Sequence, residues 1–245
     1  MKAVRNALVL ATLFVSVTVC VSQTKSDTPK IIEVITEQGP APAGSGLEAL
    51  LLKLKTQQNA GDLRWIGGTV IAGDLNRTVA IFKHPNYASL EQSNQAVHTA
   101  WESLPAAQRP ALQSRVYEFT PEQTYNDGHV PWSEARAFVL YSVLLNAGGY
   151  DDYAEHQHIA AEYVAKAKIE NEEWLGFSQH FGSHDPAYIF VTPMRSISDL
   201  DIVVDHSNVL PGWVDRLRAT VLQKAIMSSS TTLVVVRPEL GSAAR

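Results

Sequence analysis

The chain has 245 residues, 45% of them apolar and 18% charged, with 12 Pro, 14 Gly and a single Cys. This composition fits a globular chain with a sizeable core and excludes a disordered, collagen-like or multi-span membrane chain. Twenty Lys and Arg stand against 25 Asp and Glu. That acidic balance argues against nucleic acid as a partner, because affinity for a phosphate backbone comes from cations that neutralise it.

The first element is an export signal. Lys2 and Arg5 precede an apolar run from Ala7 to Val21, too short to span a bilayer comfortably, with small residues at Cys20 and Ser22 that suit a cut near Ser22. We read residues 1–22 as a signal peptide and expect a secreted or periplasmic protein with no stable membrane span after cleavage. The mature chain loses two cations and the only Cys, so it is more acidic and has neither disulfide nor thiolate chemistry. Residues 23–30 read as a polar leader. Asn76-Arg77-Thr78 is a formal glycosylation sequon that reads equally as a turn.

From Ile31 the elements follow in one order, twice. The apolar runs 31–35 and 138–145 predict strands. Leu47, Leu50, Leu51 and Leu54 then predict a helix, as do Tyr153, His156, Ala160, Tyr163 and Ala167 in the second copy. Hairpins follow at 64–71 with 78–83 and at 173–181 with 187–192, turning through Gly73-Asp74-Leu75-Asn76 and Gly182-Ser183-His184-Asp185-Pro186. Second helices are expected after Ser89 and Ser198, and last strands at 115–120 and 232–237.

Short identities keep the two copies in register. Trp65-Ile66-Gly67 returns as Trp174-Leu175-Gly176, Ile81-Phe82 with Pro85 as Ile189-Phe190 with Pro193, and Pro121-Glu122 as Pro238-Glu239. The order strand, helix, strand, strand, helix, strand is the ferredoxin-like βαββαβ unit. The expected fold is therefore α+β, with tandem duplicated repeats at 31–123 and 137–241 joined by a linker at 124–136. Each repeat leaves one sheet face bare, and the other repeat is the natural cover, giving a pseudo-dimeric α/β barrel. A barrel swapped between two chains is the competing arrangement, and a homo-oligomer stays open.

This two-copy pattern resembles the dimeric α/β-barrel superfamily, in which ferredoxin-like halves pair through their sheets. The second copy is also similar to a group of secreted bacterial proteins of unknown function. It shares Lys168-x-x-Asn171, Trp174, Gly182, Pro186-x-Tyr188, Pro193-Met194-x-Ser196 and Leu200-Asp201. The superfamily resemblance implies architecture and spans cofactor-free monooxygenases, haem proteins and non-catalytic modules, so it assigns no activity.

The residues themselves offer few catalytic signals. There is no phosphate loop, nucleophile elbow or HExxH helix. His156 and His158 fall on different faces of a helix and cannot readily clasp one ion. The acidic groups Asp151-Asp152 and Glu172-Glu173 suit helix ends or a solvated face. His180 alternates with Trp174, Gly176 and Ser178 along one strand face, so if that face looks into the barrel, His180 and Tyr188 could serve as base or haem ligand. Trp174, His180, Tyr188 and Tyr141 are the residues expected to line a ligand site. No cofactor and no metal is required by the sequence. The leading expectation is non-catalytic binding of a small apolar or aromatic molecule, or of a protein partner, between the two sheets. A cofactor-free or haem-dependent oxidoreductase is the alternative, and a structural or assembly role is a third.

Overall fold

The computed structural model describes residues 27–38, 46–57, 63–72, 77–126, 128–167, 173–181, 187–200 and 224–242, with single positions at 212 and 219. The expected signal segment, most of the expected leader, both expected hairpin turns with His184, and most of 201–223, where the helix after Ser198 is expected, lie outside the described residues. The first repeat contributes β1 (Ile31–Glu37), α1 (Gly46–Gln57), β2 (Arg64–Val70), β3 (Arg77–His84), α2 (Tyr87–Glu102) and β4 (Leu112–Phe119). The second contributes β5 (Ala137–Leu145), α3 (Tyr150–Ala167), β6 (Leu175–Phe181), β7 (Ala187–Met194) and β8 (Ile226–Val236).

Apolar spacing explains the helices. Leu47, Leu50, Leu51 and Leu54 are the leucines α1 buries, and each removes enough apolar surface to contribute about 1.5–3 kcal/mol. Helix α2 starts earlier than expected, because Asn86 rather than Ser89 is its cap: the Asn86 side chain accepts the Ser89 amide at 2.9 Å. In the second repeat the cap is likewise Ser196, whose box with Asp199 opens a short turn at Ile197–Asp199. Strand β8 begins six residues before the expected Thr232, since it pairs with β5 from Ile226 onward.

The strands form one closed antiparallel barrel in the order β1-β3-β2-β8-β5-β7-β6-β4. Each repeat keeps its own order, 4-1-3-2 and 8-5-7-6, and the sheets join edge to edge through β2 with β8 and β4 with β6. Closure removes every free sheet edge within a single chain. The barrel therefore needs no second copy, which decides against swapped pairing as the source of the core.

Alternation places Ile32, Val34, Val79, Ile81 and Tyr117 of the first repeat against Phe138, Leu140, Leu175, Phe177, Ile189 and Val191 of the second. The connector between the repeats joins this interior. Val130, Trp132 and Ala135 are buried in it, and the Trp132 ring sits 5.2 Å from Phe138 and 6.4 Å from Phe177. Buried Glu173 fixes the connector by accepting the amides of Gly128 at 2.9 Å and Val130 at 2.7 Å.

The repeated sequence motifs prove to be two sides of one repeated contact. Trp65 Nε1 donates to the Leu240 carbonyl at 2.7 Å, and Trp174 Nε1 donates to the Gln123 carbonyl at 3.1 Å. The Arg237 amide donates to Gly67 O and the Thr120 amide to Gly176 O, while the amides of Ser242 and Tyr125 reach Trp65 O and Trp174 O. Each repeat's terminal Pro-Glu turn is thus clasped by the other repeat's Trp-x-Gly strand. The glycines make room, since a Cβ on Gly67 would lie 2.6 Å from Leu240 Cβ and one on Gly176 3.0 Å from Gln123 Cβ.

Candidate functional site

The two repeats present the same layer, sheet against first helix, with different chemistry. In the first, α1 and α2 cover Ile35, Ala80, Trp65 and Phe82 with leucine and alanine. In the second, α3 covers Val143, Leu145, Tyr188 and Phe190, with Tyr141 and Trp174 at the margin and Tyr153 entering from the helix. Aligning Ile81-Phe82 on Ile189-Phe190 puts Tyr188 where the first repeat has Ala80, and α3 buries Tyr153 and His156 on a face that α1 fills with leucine. Phenols and an imidazole thus stand under the helix of the second repeat, while the first repeat buries its own imidazole, His84, on the strand side, stacked on Phe82 and 3.8 Å from Glu33. A buried polar group costs stability unless it is fully paired, so packing does not account for the difference.

The rings are in direct contact. Tyr188 stacks on Tyr150 at 5.2 Å, Tyr153 tilts against Tyr188 at 5.4 Å, and Phe190 lies 6.2 Å from both Tyr153 and Tyr188. Tyr141 reaches Phe190 at 6.3 Å, and Trp174 meets Tyr125 at 5.0 Å. Tyr188 is fully buried, while Tyr150 is 42% exposed and forms the layer's rim to solvent. Burial, more than any neighbour, pushes the Tyr188 hydroxyl far above the ordinary phenol range; Tyr150 adds to the rise and Gln123 opposes it. That shift favours Tyr188 as a hydroxyl that donates a hydrogen bond. His156 is buried on the α3 face that carries Tyr153, whereas His158 points outward and pairs with Glu162 at 3.4 Å.

Of the residues singled out from sequence, Trp174, Tyr188 and Tyr141 come together here. His180 belongs to β6, but its side chain lies outside the described residues. The expected location is corrected. Leu175 and Phe177 are the β6 side chains that enter the barrel, so Trp174, Gly176 and Ser178 alternate to the helix-covered outer face. The space between the sheets is filled by the apolar cluster and Trp132 rather than left for a ligand. Sequence reasoning missed Tyr150, Tyr153 and above all His156 as site residues, although the helical spacing of Tyr153, His156 and Ala160 already set them on one face.

A second feature lies at one end of the barrel, at the β2–β8 seam. A cavity of about 460 Å³ is lined by Trp65, Ile66, Trp132 and Val236 and by the cations Lys55, Arg64, Lys83 and Arg136. Among the described residues no helix is long and apolar enough to cross a membrane, and no group of three or more metal-ligating side chains assembles.

No protein-family model matches the chain, and no curated protein matches it by sequence. Solved structures do. An anthrone oxidase-like protein superposes with a TM-score of 0.56 at 12% identity, covering 86% of this chain and 92% of that one. A protein described as a monooxygenase from Fusobacterium nucleatum gives 0.52 at 11%, covering 86% and 93%. A chlorite dismutase mutant from Candidatus Nitrospira defluvii gives 0.51 at 8%, covering 86% and 92%. The fold is that of the dimeric α/β-barrel superfamily. At these identities the likeness establishes the barrel alone.

The names nevertheless correct one expectation. They belong to an oxidase, a monooxygenase and a dismutase, which overturns non-catalytic binding as the leading reading in favour of its oxidoreductase alternative. The superfamily includes haem proteins, and the aromatic layer tests whether a haem suits this barrel. Tyr150, Tyr153, Tyr188 and Phe190 stack on one another between α3 and the strands and leave no slot for a planar macrocycle among the described residues. No step is routed through one here.

Proposed function

We propose that this α/β barrel is an oxidoreductase that uses molecular oxygen on a small aromatic molecule with an activated C–H bond, acting at the outer face of the second repeat. The observation that carries the reading is the burial of Tyr188, Tyr153 and His156 with an aromatic cluster under α3, where α1 of the first repeat buries leucines. Pockets that combine apolar walls with a few convergent titratable groups are where chemistry concentrates. The anthrone oxidase-like and monooxygenase neighbours support the class of reaction.

The roles follow from the groups. An imidazole such as His156 takes the proton from a C–H bond acidified by an adjacent carbonyl. The Tyr188 hydroxyl, held protonated by burial, donates to the oxygen on which negative charge collects. The half-exposed ring of Tyr150, at the rim of the layer, packs against an aromatic substrate. The resulting carbanion reduces oxygen, so that a CH₂ and O₂ become a carbonyl and water. The substrate supplies the electrons.

The test is oxygen uptake by the purified chain with anthrone as the probe, followed at an oxygen electrode and by the spectrum of the product. Uptake that falls at least tenfold in Tyr188→Phe supports the reading; equal uptake by wild type and variant overturns it. The export reading of residues 1–22 belongs with this proposal and is checked by N-terminal sequencing of protein recovered outside the cytoplasm, expected to begin near residue 23.

A further inference from the structure

We infer that the cavity at the β2–β8 seam is a binding site for a small aromatic carboxylate, separate from the aromatic layer of the second repeat. The two sites share no residue. Its volume of about 460 Å³ falls in the range of about 300–1,000 Å³ typical of small-molecule sites.

Its cations come from four separate elements: Lys55 from α1, Arg64 from β2, Lys83 from β3, and Arg136 at the entrance to β5. Arg64 and Lys83 are directly opposed partners on neighbouring antiparallel strands, and alternation from Ile66 and Ile81 aims both toward the barrel axis. Like charges in that position weaken a sheet. The strain falls on Lys83: burial lowers its ammonium below the usual lysine range, Arg64 adds to the fall, and Asp27 opposes it. Asp27 accepts the Trp132 amide at 3.2 Å and offsets one of the charges. Lys55 spends its ammonium on the carbonyls of Pro238 and Glu239, and Glu48 and Glu239 are engaged by Arg237. Arg64 is itself engaged, so the positive excess rests on Lys83 and Arg136, against which Asp27 sets one negative charge, and an anion would relieve it.

The floor supplies the aromatic preference. Trp132 is buried, its ring lies 5.8 Å from Lys83 Nζ, and its Nε1–H has no acceptor among the described residues. A buried donor without a partner costs stability, which a carboxylate oxygen would recover. A planar ring would pack on Trp132 while its carboxylate met Lys83 and Arg136.

The experiment is calorimetric titration of the purified chain at low salt with benzoate, benzyl alcohol and inorganic phosphate. Benzoate is expected to bind at least tenfold more tightly than the other two. Lys83→Met and Arg136→Ala should each weaken benzoate binding at least tenfold, while Lys83→Met melts at or above the wild-type temperature because the opposed charge is gone. Alcohol binding as tightly as benzoate, or unchanged benzoate binding in both variants, overturns the site. Phosphate binding as tightly as benzoate overturns the aromatic ligand class. Anthrone oxidation does not enter these readings, so the outcome is independent of the proposed activity.

Discussion

Replacing Gly67 by Ala tests the repeated clasp at its tighter side. The added Cβ would lie 2.6 Å from Leu240 Cβ and 2.7 Å from the Leu240 carbonyl oxygen, both within the turn that Trp65 anchors. Neither is the far end of a flexible side chain, so the Pro238–Leu240 turn must move and the 2.7 Å bond from Trp65 Nε1 must lengthen. Overpacking of this kind costs about 1–3 kcal/mol, and the lost bond about 1 more. The gain from restricting the unfolded chain, about 0.4–1 kcal/mol, offsets part of it. The net is about 2–3 kcal/mol, which at about 2–4 °C per kcal/mol for a chain of this size lowers Tm by roughly 4–12 °C. Gly176→Ala is the internal control, because its Cβ meets Gln123 at 3.0 Å and needs a shift of only a few tenths of an ångström. Its expected cost is about 1 kcal/mol. Thermal unfolding followed by circular dichroism gives both values. A Gly67→Ala melt equal to wild type, or a larger loss in Gly176→Ala, would refute the clasp as a tight, equivalent contact in both halves.

Other consequences can be measured in the same way. Trp132→Ala empties the middle of the barrel and should cost about 3–5 kcal/mol in denaturant unfolding, a loss that an indole lying on the surface would not produce. Glu173→Leu leaves the buried amide of Val130 and the part-buried amide of Gly128 without their acceptor, so about 2–3 kcal/mol should be lost and amide exchange at residues 128–130 should quicken. Tyr188 has a raised folded pKa, so the stability it contributes is complete below pH 10 and declines above it, where the unfolded chain ionises and the native one does not. Tyr188→Phe removes that decline, and its alkaline unfolding midpoint should therefore lie at higher pH than wild type.

The architecture was legible because it is written in periodicity and repetition. Trp-x-Gly, Ile-Phe and Pro-Glu recur in one order, and each marks a contact made twice in space. What escaped the sequence was which face of β6 turns inward. Strand alternation fixes that Trp174 and Phe177 oppose each other, but not which of them meets the other sheet. The connector was opaque for a related reason. Trp132 stands among Pro131, Ser133 and Glu134, without the flanking pattern that marks a core segment, yet long-range packing draws it into the barrel. His156 was hidden by its neighbour His158, which made the pair look like a failed metal site. Only the buried face of α3, set beside the leucine face of α1, shows an imidazole turned inward.

The account turns on that imidazole. His156→Leu replaces the buried imidazole with the residue type that α1 buries in the first repeat, so the variant should fold with an unchanged or higher Tm while oxygen uptake with anthrone falls at least a hundredfold. Uptake at the wild-type rate in a folded His156→Leu protein would contradict the assignment of chemistry to the second repeat's outer face.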